Sequence, residues 1–62
     1  MKFTKTIEGE YIDMDKIRKF YVILGANYMH NVLAEYDNGD TACIQSFKTK
    51  VEAQNFVKEL FK

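Results

Sequence analysis

Cys43 and His30 are of residue types that act together as nucleophile and base in many enzymes. Each is the only member of its type in the sequence. The hairpin register derived below places Cys43 beside Ala34, four residues along the strand from His30. At ~3.3 Å per residue the two side chains would lie roughly 13 Å apart, too far for proton transfer. We therefore predict no catalytic dyad, and one cysteine with one histidine cannot supply a zinc site.

The other candidate for chemistry is an acidic stretch near the N-terminal end of the chain. The segment Asp13-Met14-Asp15 begins like an EF-hand loop, but glycine is missing from the sixth position and Leu24 replaces the glutamate at the twelfth. Glu8 and Glu10 precede this segment without a base among them. The glycines are isolated and form no phosphate-binding loop. We predict a non-enzyme without a catalytic residue, metal, cofactor or small-molecule substrate.

Length and composition predict one small packed domain over residues 1–62. The sequence has 62 residues, of which 47% are hydrophobic and 15% aromatic, values typical of a folded core. Below roughly 70–80 residues one core seldom supplies more than ~3–5 kcal/mol, so small domains add a disulfide, a metal or a second subunit. With a single cysteine and no metal motif, self-association is the stabiliser that remains. We therefore expect a homodimer, or a complex with another protein.

Charge and hydropathy argue against several other classes of protein. Nine basic and nine acidic residues give a net charge of zero, which offers no support for binding nucleic acid. The longest apolar run, Phe20–Leu24, is far shorter than the ~20 residues that span a bilayer. No apolar run follows Lys2 and Lys5, so we predict no signal peptide and no membrane association. A reducing, cytoplasmic location is expected.

The C-terminal segment predicts an amphipathic helix over about residues 50–61. Thr49-Lys50-Val51-Glu52 has the form of a capping box, in which the threonine and glutamate side chains bond reciprocally to backbone N–H groups. Apolar residues then recur at three- and four-residue spacing, which makes one stripe on a helix. A helix this short is marginal alone, so it must dock on a sheet.

The dipeptide Asn38-Gly39 predicts a hairpin with a two-residue type I′ turn, in which both residues have positive φ. The strands would cover about residues 28–36 and 41–47. In this register Leu33 faces Ile44 on one side of the sheet. Val32, Ala34, Cys43, Tyr36 and Phe47 share the other side.

Upstream segments predict three more strands, at about residues 2–7, 11–12 and 17–24. The last is β-branched and aromatic, and the connections are short, so neighbours in sequence should pair. The predicted fold class is α+β: an antiparallel β-meander of four or five strands, followed by a C-terminal amphipathic helix packed on one sheet face. This layout resembles that of many small bacterial and phage proteins, and it implies no functional residue.

Apolar side chains occur on both predicted faces of the sheet, although one helix covers only one face. A strongly twisted sheet could curl over its helix and bury both faces. Alternatively, the helix-free face is an interface, since contiguous apolar and aromatic patches mark interaction sites. We predict a small non-catalytic protein-interaction or regulatory module that self-associates through this face. Its candidate interface residues are Tyr21, Ile23, Tyr28 and Tyr36.

Basic residues suggest an alternative function, weak nucleic-acid binding. Phe20 and Tyr21 could offer stacking surfaces beside a basic patch. The patch would consist of Lys16, Arg18, Lys19, Lys48 and Lys50. The same charges could instead balance the acidic stretch and keep an exposed strand end soluble.

Overall fold

The computed structural model describes residues 2–60, which form five strands and one helix. A single 3₁₀ turn, Met14–Lys16, joins the second strand to the third. The elements are β1 (Phe3–Lys5), β2 (Tyr11–Asp13), β3 (Ile17–Leu24), β4 (His30–Tyr36), β5 (Thr41–Phe47) and α1 (Lys50–Leu60). The predicted α+β class and element order are confirmed, and the last residue of the predicted helix, 61, lies outside the described residues.

The strands form two antiparallel sheets instead of one continuous meander. β1 pairs with β2, and a second sheet has the order β3-β4-β5. The break falls at the 3₁₀ turn, where the Asp13 carboxylate accepts from the Asp15 N–H at 3.0 Å and turns the chain away from β2. The β1–β2 connection instead reaches β5, because the Ile7 N–H donates to the Cys43 carbonyl at 3.1 Å. The small sheet therefore lies beside β5.

The β4–β5 hairpin has a three-residue loop, so the predicted two-residue turn is wrong. The Gly39 N–H donates to the Tyr36 carbonyl at 3.0 Å, and the Tyr36 N–H donates to the Asp40 carbonyl at 2.7 Å. Only Gly39 in this loop has positive φ, at 94°. These features define a type I turn followed by a left-handed glycine, the usual three-residue hairpin loop.

A β-bulge compensates for the extra loop residue. The pairs His30–Phe47, Asn31–Ser46 and Val32–Gln45 are those that the predicted register implies, but from Val32 toward the turn the register shifts so that Leu33 pairs with Cys43. Ile44 is the residue left unpaired in the ladder, and it is buried against Ala34. The predicted pairing of Leu33 with Ile44 is therefore wrong, because the loop uses one residue more than expected.

The core lies between the three-stranded sheet, α1 and the β1–β2 hairpin. Ile12, Ala34 and Ile44 form its centre, and Phe56 of α1 packs against them. Phe47 and Phe56 place their ring centroids 5.4 Å apart, which ties the end of β5 to the helix. Both α1 and Ile12 therefore cover one and the same face of the sheet, the core face.

The helix begins with half of the predicted capping box. The Thr49 hydroxyl oxygen accepts from the Glu52 N–H at 3.2 Å, as expected for an N-cap residue. The Glu52 carboxylate accepts the Thr49 hydroxyl proton at 2.9 Å instead of reaching back to the Thr49 N–H. The hydroxyl thus serves as donor and acceptor together.

Replacing Thr49 with alanine should lower the free energy of unfolding by about 1 kcal/mol, because the Glu52 N–H loses its acceptor. Thr49→Ser keeps the hydroxyl and is the matched control, with stability close to wild type. Urea denaturation followed by circular dichroism measures both. Equal stability of the alanine and serine variants would contradict the capping role.

Gly39→Ala should also cost about 1 kcal/mol, because a left-handed backbone is unfavourable for a residue with a Cβ. A Cβ at this position meets no atom within 4 Å, so the cost is conformational and not steric crowding by neighbours. Gly39→Asn should lose less stability than Gly39→Ala, since asparagine tolerates this conformation. The reverse order in thermal melts would argue against the left-handed conformation of Gly39.

Candidate interaction surface

The registers of β3, β4 and β5 place three rows of side chains on the sheet face opposite α1, which we call the helix-free face. Side chains alternate between the two faces of a sheet, so directly paired residues share a face. The middle row contains Tyr21, Leu33 and Cys43. The flanking rows are Lys19–Glu35–Thr41 at one end and Ile23–Asn31–Ser46 at the other.

The centre of the helix-free face is apolar and partly open to solvent. Ile23 is 41% exposed, and Tyr21, Leu33 and Cys43 are half-buried. Their core-face neighbours Val32 and Ala34 are fully buried. The contrast follows from the fold, because α1 and Ile12 lie on the core face. Four adjoining side chains therefore make an apolar patch on the helix-free face.

Polar side chains border the apolar patch at both ends. At one end the Glu35 carboxylate lies 3.6 Å from Arg18 Nε and 3.9 Å from Lys19 Nζ. Lys19 Nζ also lies 5.3 Å from the centre of the Tyr21 ring, a cation–π contact. At the other end the Ser46 hydroxyl donates to Asn31 Oδ1 at 2.7 Å. One end is thus charged with an excess cation, and the other is neutral and polar.

The candidate interface residues occupy different parts of the molecule. Tyr21 and Ile23 lie on the helix-free face. Tyr36 does not, because it packs against the buried cluster on the core face, so its predicted place beside Tyr21 is wrong. Tyr28 precedes β4 in the turn after β3, with φ of 60° and 82% of its surface exposed.

Leu33 and Cys43 belong to the patch but were not predicted as interface residues. The two-residue turn placed Cys43 on the same face as Ala34, so Cys43 and Leu33 fell on opposite faces. The three-residue loop reverses this assignment, because it pairs Cys43 with Leu33, and the bulge at Ile44 then follows. No single residue of Ala42–Gln45 signals a bulge, since all four suit a regular strand.

The basic residues of the nucleic-acid alternative lie at opposite ends of the sheet, so they do not form one patch. Lys16, Arg18 and Lys19 stand at the start of β3, where Ile17 pairs with Tyr36. Lys48 and Lys50 follow Phe47, which pairs with His30 near the end of β3. The distance along β3 from Lys19 to Leu24, which pairs with His30, is five residues or roughly 16 Å, and Lys16 lies farther away still. Arg18 and Lys19 are also already paired with Glu35.

Cys43 and His30 lie on opposite faces, because Cys43 pairs with Leu33 whereas His30 pairs with Phe47. Within residues 2–60 no group of three or more His, Cys, Asp or Glu side chains could hold a metal ion. An open cavity of about 240 Å³ lies between the β1–β2 connection and β5. Its lining includes the exposed carboxylates Glu8 and Glu10 together with Tyr36 and Cys43.

Comparisons of the chain with protein-family models, with curated proteins and with solved structures find no match. Among residues 2–60, no helix has the length and apolar character needed to cross a bilayer. The assignment of the helix-free face as an interaction surface therefore comes from the contacts, exposure and charges of this chain alone.

His30→Ala should leave the rate of Cys43 alkylation by iodoacetamide unchanged, because the imidazole and the thiol are on opposite faces of the sheet. A histidine that activated a cysteine would hold it as thiolate, and its loss would slow the reaction. Mass spectrometry of timed samples measures the rate, with Tyr11→Ser as a remote control. A clear slowing in His30→Ala alone would contradict the register.

Proposed function

We propose that the protein is a small non-catalytic interaction module that self-associates through the helix-free face. The observation that carries the proposal is the patch of Tyr21, Ile23, Leu33 and Cys43, which is apolar at its centre and polar at both ends. Interfaces commonly have this arrangement, with an apolar centre that contains an aromatic residue and a polar rim. Tyr21 supplies a broad ring at a small cost in side-chain entropy.

The charges of the face favour a second copy in a reversed orientation. The two copies would stack face to face about a two-fold axis that lies between the two sheets, parallel to them and perpendicular to their strands. This axis places each end of one helix-free face over the opposite end of the partner's helix-free face. The Arg18–Lys19–Glu35 end of each copy then meets the neutral Asn31–Ser46 end of its partner. Like charges are kept apart, while the two apolar centres coincide.

Further support comes from the size of the core. Among residues 2–60 the buried apolar side chains are Ile12, Val32, Ala34, Ile44 and Ala53, and only Val32 is both fully buried and larger than alanine. A core this small contributes modest stability. Covering the helix-free face removes additional apolar surface from water, at roughly 25 cal/mol per Å².

The double variant Tyr21→Ser/Leu33→Ser should weaken association at least tenfold. Truncating a hot-spot residue at the centre of an interface costs about 2 kcal/mol or more, and 1.4 kcal/mol corresponds to a factor of ten. Sedimentation equilibrium measures the dissociation constant, and circular dichroism confirms that the monomer is folded.

The matched control is Val51→Ser/Tyr11→Ser, which also removes one aliphatic and one tyrosine side chain. Val51 is 64% exposed on α1 and Tyr11 is 71% exposed on β2, both away from the patch. The control should associate like wild type. Equal dissociation constants for the two double variants would overturn the proposed role of the helix-free face.

A further inference from the structure

The backbone N–H and C=O groups along the outer edge of β3 form a second surface that can bind another chain. β3 is the terminal strand of its sheet, and at eight residues it is the longest strand in the described part of the protein. Hydrogen bonds alternate along an antiparallel pair. The Gly25 N–H donates to the Met29 carbonyl at 2.8 Å, which shows that the backbone groups of Gly25 point toward β4. Every second residue of a strand points the same way, so the backbone groups of Ile23 and Tyr21 also point toward β4. Val22 and Leu24 therefore direct theirs toward the outer edge.

Features that protect edge strands occur at only one end of β3. Proteins guard such edges with lysine, proline, bulges or short strands. The first half of β3 has a register shift between Ile17 and Lys19, together with the charged residues Arg18 and Lys19. The second half, Phe20–Leu24, is regular, entirely apolar and without proline. Its last residue, Leu24, is 61% exposed.

We infer that the edge of β3 pairs antiparallel with β3 of a second copy, on a two-fold axis that passes through Val22. Two-fold symmetry requires one residue to face its own counterpart. With Val22 at that position, Phe20 faces Leu24 of the second copy and Tyr21 faces Ile23. The outward N–H and C=O groups of Val22 and Leu24 then lie opposite outward groups of the partner strand.

Charge and regularity select Val22 over the neighbouring centres. Centres at Tyr21 or Phe20 would bring the irregular segment at Arg18 into the pairing, opposite Leu24 or Val22 of the second copy. With the centre at Val22, only the regular part of β3 pairs, and Lys19 lies across from Gly25 of the second copy. The cationic ends of the two strands point away from each other, so no like charges meet.

The same register gives the exposed ring of Tyr28 a neighbour. The Tyr28 N–H donates to the Gly25 carbonyl at 3.1 Å, so the positive φ of Tyr28 belongs to a three-residue loop like that of Gly39, and the loop leaves the ring 82% exposed. In the paired strands the turn that contains Tyr28 lies beside Arg18 and Lys19 of the second copy. An exposed ring beside two cations allows a cation–π contact between the copies.

This edge contact goes beyond the proposed role of the helix-free face and is independent of it. Pairing through β3 joins two three-stranded sheets into one of six strands and sets two helix-free faces side by side. Each single patch has only four central side chains, whereas a stable interface uses about 800 Å² per partner. The joined sheet doubles the apolar area that is available for face-to-face association.

Disulfide trapping tests the register. In a Cys43→Ser background, Val22→Cys places each new thiol opposite its own counterpart, within the separation that a disulfide spans. Leu24→Cys is the matched control, because its two copies would lie roughly 13 Å apart along the strands. Under mild oxidation, Val22→Cys should form the covalent dimer much faster than Leu24→Cys. Faster crosslinking of the more exposed Leu24→Cys would overturn the register.

A charge placed on the edge provides a second, distinguishable test. Leu24→Lys should abolish edge pairing, and Val51→Lys is the matched control because Val51 is 64% exposed and lies on α1. In sizing chromatography with light scattering, Leu24→Lys should lose the edge contact but keep any face contact. Leu33→Ser should do the opposite. A Leu24→Lys mass equal to that of Val51→Lys at every concentration would overturn the edge contact and leave the proposed function standing.

Discussion

The pairing of β5 with β4, with its β-bulge at Ile44, is the constraint on which both faces of the main sheet depend. Cys43 pairs with Leu33 on the helix-free face, and Ile44, the next residue, is buried against Ala34 on the core face. Without the bulge, strict alternation along β5 would turn Phe47 to the helix-free face, and the core would lose its ring contact with Phe56. The core and the exposed patch therefore both depend on this one strand pairing.

The bulge in turn follows from the hairpin loop. A three-residue loop with Gly39 in the left-handed conformation shifts the strand pairing by one residue near the turn. The extra residue in β5 restores the register predicted for a two-residue loop over Val32 to His30. Phe47 therefore still pairs with His30 and contacts Phe56 of α1. Asn38-Gly39 suits two kinds of loop, and the choice between them decides which side chains face water.

These relations explain which features could be predicted from the sequence. Helix α1 and strands β3 and β5 have strong local patterns, so their bounds follow from periodicity and the Thr49 cap. Tyr21 and Ile23 could be assigned to the helix-free face because β3 is regular over its second half. Cys43 could not be assigned correctly, since its face depends on the hairpin loop. The places of Tyr36 and Leu33 relative to Tyr21 depend on the β3–β4 register, which neither strand fixes by itself. The separation of Lys16 from Lys48 depends on tertiary placement, which no local pattern encodes.

The helix-free face and the β3 edge have the same physical origin. The short helix α1 and the β1–β2 hairpin, whose strands have three residues each, cover only the core face of the main sheet. Strand β3 is left at the edge of that sheet. Few side chains among residues 2–60 are fully buried, so the proposed second copy would add stability by covering these surfaces. Self-association would then be part of how this domain is stabilised as well as what it does.

Light scattering on the wild-type chain over a dilution series, at low and at moderate salt, tests self-association most directly. We predict a mass that rises with concentration from 7.3 kDa toward at least twice that value, with little change on adding salt because the contacts are mainly apolar. A mass of 7.3 kDa at every concentration and salt would contradict both the face contact and the edge contact.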